Sequence, residues 1–194
     1  EVIISSSKRW AKIIEHKNNN EKISNLPNST LERALTIVDL ENLAGGADKV
    51  GRTSSALRTL VRSQQSRCSN MMTVVSTGIK AVRLHPDVLW DWKPARFLIG
   101  RGLDGADKEL LNVLENDPVA STATYVQIWS GDHCFAPVAR LLRARGCHVH
   151  VFCRSGSLSR ELKHAANEVT IISPVLHSLA WMRRGQEDQL SKAS

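Results

Sequence analysis

The chain has 194 residues, 42% hydrophobic and 23% charged, with a formal net charge of +7. That length suits one domain of ordinary size plus extensions, and it excludes a chain too small to bury a core without staples. No apolar run approaches the ~20 residues of a membrane span, and the basic balance favours a polyanionic partner such as nucleic acid.

The first 30 residues are uneven. "SSSKRWAKIIEHK" fits a short amphipathic helix with Trp10, Ile13 and Ile14 on one face. "NNNEKISNLPNST" then reads as a polar linker. "EVIISSSKRW" carries no signal-peptide pattern. A domain is expected over residues 31–175 and a polar tail over 176–194.

From Leu31 the chain alternates. "RALTIVDL" is a strand, "ENLAGGADKVG" a loop, and "RTSSALRTLVRSQQ" a helix with Leu57, Leu60 and Val61 on its apolar side. "NMMTVVSTG" is a second strand. "LHPDVLWDW" is a short helix that Pro86 can start. "ARFLIG" is a third strand, and "DGADKELLNVLEND" a helix with acids at its start. "ATYVQIWSG" is a fourth strand, followed by the helix "HCFAPVARLLRARG", which Gly146 stops. "CHVHVFCR" is a fifth strand, "LSRELKHAANE" a helix, and "VTIISP" a last strand ended by Pro174. Short apolar strands alternating with helices predict an α/β fold with a mostly parallel sheet covered on both faces.

Cys68, Cys134, Cys147 and Cys153 form no CxxC and have no zinc-finger partner spacing, which fits a reducing cytoplasm without disulfides. No G-x-S-x-G elbow, Walker loop or dinucleotide fingerprint is present. His148 and His150 share one strand face, which reads as packing or solvation.

The acids are more informative. Ligands of open α/β sheets sit at the carboxyl ends of the strands, near a reversal of strand order. Asp39 closes the first strand, Asp104 and Asp107 follow the third, and Asp132 follows the fourth. Each has an ordinary explanation. Asp39, Asp104 and Asp132 suit helix N-caps, and Asp107 suits the first turn of a helix dipole. Four carboxylates at one sheet edge nevertheless repel unless a divalent cation sits among them, and oxygen ligands suit Mg²⁺ or Mn²⁺. Arg101 and Lys108 flank the acids as candidate phosphate partners.

The segments "VDLENL", "GADKELL", "SGDHCFAPVARLLRARGCHVHVF" and "SLSRELKHAANEVTII" together resemble the NYN domain family of PIN-like nucleases, most closely its bacterial members. The resemblance spans about residues 34–173. It implies a Rossmann-like three-layer α/β/α sandwich and metal-dependent endonucleolytic hydrolysis of RNA. Asp39, Asp107 and Asp132 match the family's metal-binding acids, and Asp104 matches an acid of the bacterial subgroup. Asn42 matches the Asn of the first-strand motif, a hydrogen-bonding partner of the site or its phosphate, and Ser130 the Ser before the third acid. Cys134 stands where many relatives have a second Asp. That departure leaves open a one-metal mechanism, or a module that binds RNA without cutting it. A haloacid-dehalogenase-type phosphatase ranks third, because the position two residues after Asp39 is Glu41 rather than Asp.

Overall fold

The computed structural model describes residues 33–65 and 70–172, all within a compact unit that starts at Leu31. The expected N-terminal helix and linker, Cys68, Pro174 and the polar tail lie outside the described residues.

Six runs rich in apolar and β-branched residues form the strands β1 (Arg33–Asp39), β2 (Asn70–Gly78), β3 (Arg96–Gly100), β4 (Tyr125–Trp129), β5 (His148–Cys153) and β6 (Glu168–Ile171). They pair in parallel in the order β3-β2-β1-β4-β5-β6. Helices cover both faces, so successive residues of one strand enter different cores. Leu35 and Ile37 of β1 pack with Val74, Val126 and Ile128 beneath α5 (Gly105–Asn116), α6 (Pro118–Thr122), α7 (Ala136–Ala144) and α8 (Arg160–Ala165). Val38 packs with Val75, Trp129 and Phe152 on the other face, beneath α1 (Leu40–Ala44), α2 (Val50–Gln65), α3 (Ile79–Leu84) and α4 (Val88–Asp91). The result is the three-layer α/β sandwich expected from the sequence. No described helix is long and apolar enough to cross a membrane.

Three short helices depart from the sequence reading. "ENLAGGADKVG" is not a plain loop: it holds the end of α1, which stops at Gly45 in the left-handed region (φ 83), and a 3-10 turn over Ala47–Lys49. Helix α3 precedes the short helix expected around Pro86, which itself begins only at Val88. Helix α6 starts on Pro118 and is capped by Asp117, whose side chain accepts from the Val119 N–H. Gly146 ends the α7 segment as expected, at φ 84.

The strand order reverses between β1 and β4. The chain leaving β1 turns toward one helical layer and the chain leaving β4 toward the other, which opens a crevice at their carboxyl ends. Asp39 and Asp132 lie there.

Candidate functional site

Asp39 is the last residue of β1 and the N-cap of α1. Its Oδ1 accepts the Asn42 N–H at 3.2 Å, so it caps the helix as its residue type predicts. Its Oδ2 accepts the Ser130 hydroxyl at 3.0 Å. The carboxyl is 3% exposed. Burial, reinforced by the charge of Asp107 beside it, pushes its pKa from 3.8 up to about 7.

Asp107 lies in the first turn of α5, half-buried, and hydrogen-bonds Asp39. Burial raises its pKa too, followed by the charge of Asp132. Two carboxyls that share a hydrogen bond hold a proton between them when no cation is near.

Asp132 follows β4 and caps a 3-10 turn over His133–Phe135, its Oδ1 accepting the Cys134 N–H at 2.9 Å. The His133 ring nitrogen lies at 2.9 Å from the same oxygen. Capping therefore accounts for the orientation of Asp132. Oxygens of Asp107 and Asp132 and the Cys134 sulfur all lie within 4.8 Å of one another. Burial and the neighbouring Asp107 and Asp132 raise the Cys134 thiol pKa steeply.

The geometric trio is thus Asp107, Asp132 and Cys134, with Asp39 deeper and bonded to Asp107. Of the three acids that the resemblance implies as metal ligands, Asp39 reaches this group through its bond to Asp107, and Cys134 joins the other two. Asp104 does not join them. It occupies the N-cap position of α5 with φ 54 and makes no capping side-chain bond, contrary to expectation; it acts on Asp107 only through its charge.

The residues expected to hold substrate divide. Ser130 is fully buried, and its hydroxyl donates to Asp39 and accepts the Asp132 N–H at 3.2 Å, so it steadies the turn that carries the acids. The Asn42 side-chain oxygen accepts the Gly131 N–H at 3.0 Å and ties the β1 and β4 loops together. Arg154 adds to this bracket by donating to the Asn42 carbonyl at 3.2 Å. Arg101 and Lys108 are exposed at the rim, and Lys108 Nζ also reaches the Leu103 carbonyl at 3.0 Å.

Two members escaped sequence reasoning. Glu41 is no solvated turn residue: it accepts the Gly78 N–H at 2.6 Å and the Thr77 hydroxyl at 3.2 Å, and straps the β1 loop to β2. Ser76 pairs with Asp39 across β1 and β2 and is fully buried. Its hydroxyl is the one buried side-chain polar atom among the described residues without a hydrogen-bond partner. Facing residues of parallel neighbours point to the same side, so Ser76 shares the α5 side of the sheet with Asp39. No local pattern in the sequence marks it, because its place beside Asp39 follows from the β1–β2 register.

His148 and His150 sit nearer the amino ends of the strands, with His150 bonded to Tyr125 and Thr170 at 3.0 and 2.8 Å. His150 is buried while His148 is exposed and stacks on Tyr125, so the face divides between packing and solvation.

The architecture is similar to the crystal structure of a protein of unknown function from Vibrio parahaemolyticus. The TM-score is 0.54 at 14% identity, over 77% of this chain and 98% of that one. At that identity the likeness shows the fold alone. No family model and no curated protein matches the sequence.

Proposed function

We propose that the chain is a metal-dependent endoribonuclease of the NYN type with its centre at Asp39, Asp107, Asp132 and Cys134. The observation that carries this reading is the gathering of ligand atoms from Asp107, Asp132 and Cys134 within 4.8 Å, above a buried Asp39, at the switch point of the sheet. The donor set fits a divalent cation: carboxyls from separate segments converge, and burial penalises the charges of Asp39 and Asp107. When bound, such an ion makes a water more acidic and stabilises charge on a phosphate oxygen. On the carboxylates alone it would be Mg²⁺ or Mn²⁺.

The chain's own groups do the rest. Ser130 and the Asn42 N–H hold Asp39, Asp39 holds Asp107, and the Cys134 N–H holds Asp132. The exposed Arg101 and Lys108 and the net charge of +7 support a polyanionic substrate. RNA as the substrate rests on the sequence resemblance.

A non-catalytic RNA-binding module is the second reading, favoured by the thiol at Cys134 in place of a carboxylate. The phosphatase reading is disfavoured, because Glu41 is engaged with β2 and is not free to act as an acid.

The test is cleavage of labelled single-stranded and structured RNA with Mn²⁺, Mg²⁺ or EDTA, beside Asp132→Asn. The reading expects cutting that requires metal and falls at least about a hundredfold in the variant, the scale of one lost charge-stabilising group. RNA retention at low salt without cutting transfers the case to the binding module. Cutting that survives both EDTA and the substitution refutes this site.

A further inference from the structure

This inference rests on the metal centre proposed above and concerns which ion it takes. We propose that Cys134 is a ligand, and that its sulfur turns the site from a Mg²⁺ site into one for a borderline divalent cation of the zinc class.

Two independent observations carry it. The first is the placement of the sulfur. Cys134 lies in a 3-10 turn fixed at one end by its own N–H on Asp132 Oδ1 and at the other by the fully buried Phe135. From there its sulfur lies within 4.8 Å of both carboxylates. Oxygen and sulfur ligands of one tetrahedral zinc stand about 3.6 Å apart, from metal–ligand lengths of about 2.1 and 2.3 Å. With every pair inside 4.8 Å, closing the spacing takes a shift of at most about 1.2 Å, within reach of side-chain rotation. The second observation is the Ser76 hydroxyl, fully buried beside Asp39 and without a partner. An unsatisfied buried hydroxyl costs about 1–3 kcal/mol, so one on the same side of the sheet as Asp39 calls for a polar partner such as a bound ion or its water.

The choice of ion follows from donor chemistry. Mg²⁺ asks for near-octahedral oxygen and gains little from sulfur, whereas zinc and cobalt accept thiolate and carboxylate together. The Asp132 carboxylate, oriented by His133 and the Cys134 N–H, has the outer support that such ligands carry. Zinc outranks manganese at nearly any site, so raw affinity decides nothing. The informative quantity is the change in preference when the sulfur is replaced.

The full chain is titrated with Co²⁺ and followed for a thiolate-to-cobalt charge-transfer band, beside Cys134→Ser, Cys134→Ala and Cys134→Asp. Affinities for Zn²⁺, Mn²⁺ and Mg²⁺ are measured by calorimetry. The expected result is a band in the natural chain that Zn²⁺ abolishes and that all three variants lack. Zn²⁺ affinity should fall at least about tenfold in Cys134→Ser. Cys134→Asp should lower the zinc-to-manganese preference by a similar factor. The proposal is overturned if the natural chain shows no band, if Cys134→Ser keeps it, or if the metal preference of Cys134→Asp is unchanged. Failure of the nuclease reading looks different: a Cys134-dependent band with no RNA cut under any metal leaves this inference standing. Mg²⁺-dependent cutting without a band does the reverse.

Discussion

Asp39→Asn separates what the site does for function from what it does to stability. The buried carboxyl titrates at about 7 instead of 3.8, so the folded chain keeps a proton that the unfolded chain has released. A value raised on folding contributes stability that is complete below about pH 3.8 and is lost as pH rises through about 7. At about 1.36 kcal/mol per pH unit, the ceiling on that loss is roughly 4 kcal/mol. Asp107 takes part in the same proton equilibrium, so the share removed by substituting Asp39 alone is about 1–3 kcal/mol. Asparagine keeps an oxygen for the Asn42 N–H, and its amide can donate to the Ser130 hydroxyl, so few bonds are lost. Urea unfolding in chelator across the pH range should therefore find Asp39→Asn the more stable protein above about pH 7, with the gap closing toward about pH 4. Adding a cation at about 100 times its dissociation constant should raise the natural chain by about 2.7 kcal/mol and the variant by less. A gap that is constant with pH, or a variant less stable than the natural chain under alkaline chelating conditions, would refute the reasoning.

Three further substitutions test how the acids are held. Gly100→Ala would put a Cβ at 2.1 Å from the Ala106 nitrogen and the Gly105 carbonyl carbon, so α5 must move, and Asp107 with it. We expect a loss beyond about 2 kcal/mol and weakened cation binding. Gly102→Ala meets nothing within 4 Å and should cost only about 1–2 kcal/mol for its φ of 75, with binding kept. Asn42→Ala strands the N–H of the buried Gly131, which should cost about 1–3 kcal/mol in urea unfolding and slow cleavage as the Asp132 loop loosens. An unchanged unfolding midpoint would show that the bracket is not structural.

The strands were legible because sheets covered on both faces require apolar runs, and "TIVD", "TVVST" and "VHVFC" are short and rich in β-branched residues. Helices α1, α3 and α6 were not, since five or six residues make hardly more than one turn and show no period. In the site the same division holds. Asp39, Asp107 and Asp132 announce themselves by their places at strand ends and at a helix start. Ser76 and Glu41 depend on β2 lying next to β1 in one register, a long-range fact that no local pattern carries. Cys134 was visible in the sequence only as a missing carboxylate. The turn that Asp132 caps is what brings its sulfur toward the acids.

That turn also explains why the acids are buried together at all. The β1 and β4 loops diverge at the switch point, and the crevice they leave is closed by the Gly131–Asn42 and Arg154–Asn42 hydrogen bonds. Only small residues suit the β4 side of that closure: a Cβ at Gly131 would fall 2.3 Å from the Ser157 carbonyl oxygen. Ser130 beside it is fully buried, and its hydroxyl joins Asp39 to the Asp132 backbone. A carboxyl fixed in so tight a bracket cannot turn toward water to relieve its charge. It keeps a proton or meets a cation. The raised pKa of Asp39 and the proposed affinity for metal are therefore two expressions of one arrangement. Substitutions at Asp39 that stabilise the metal-free chain should be the ones that weaken its hold on the ion.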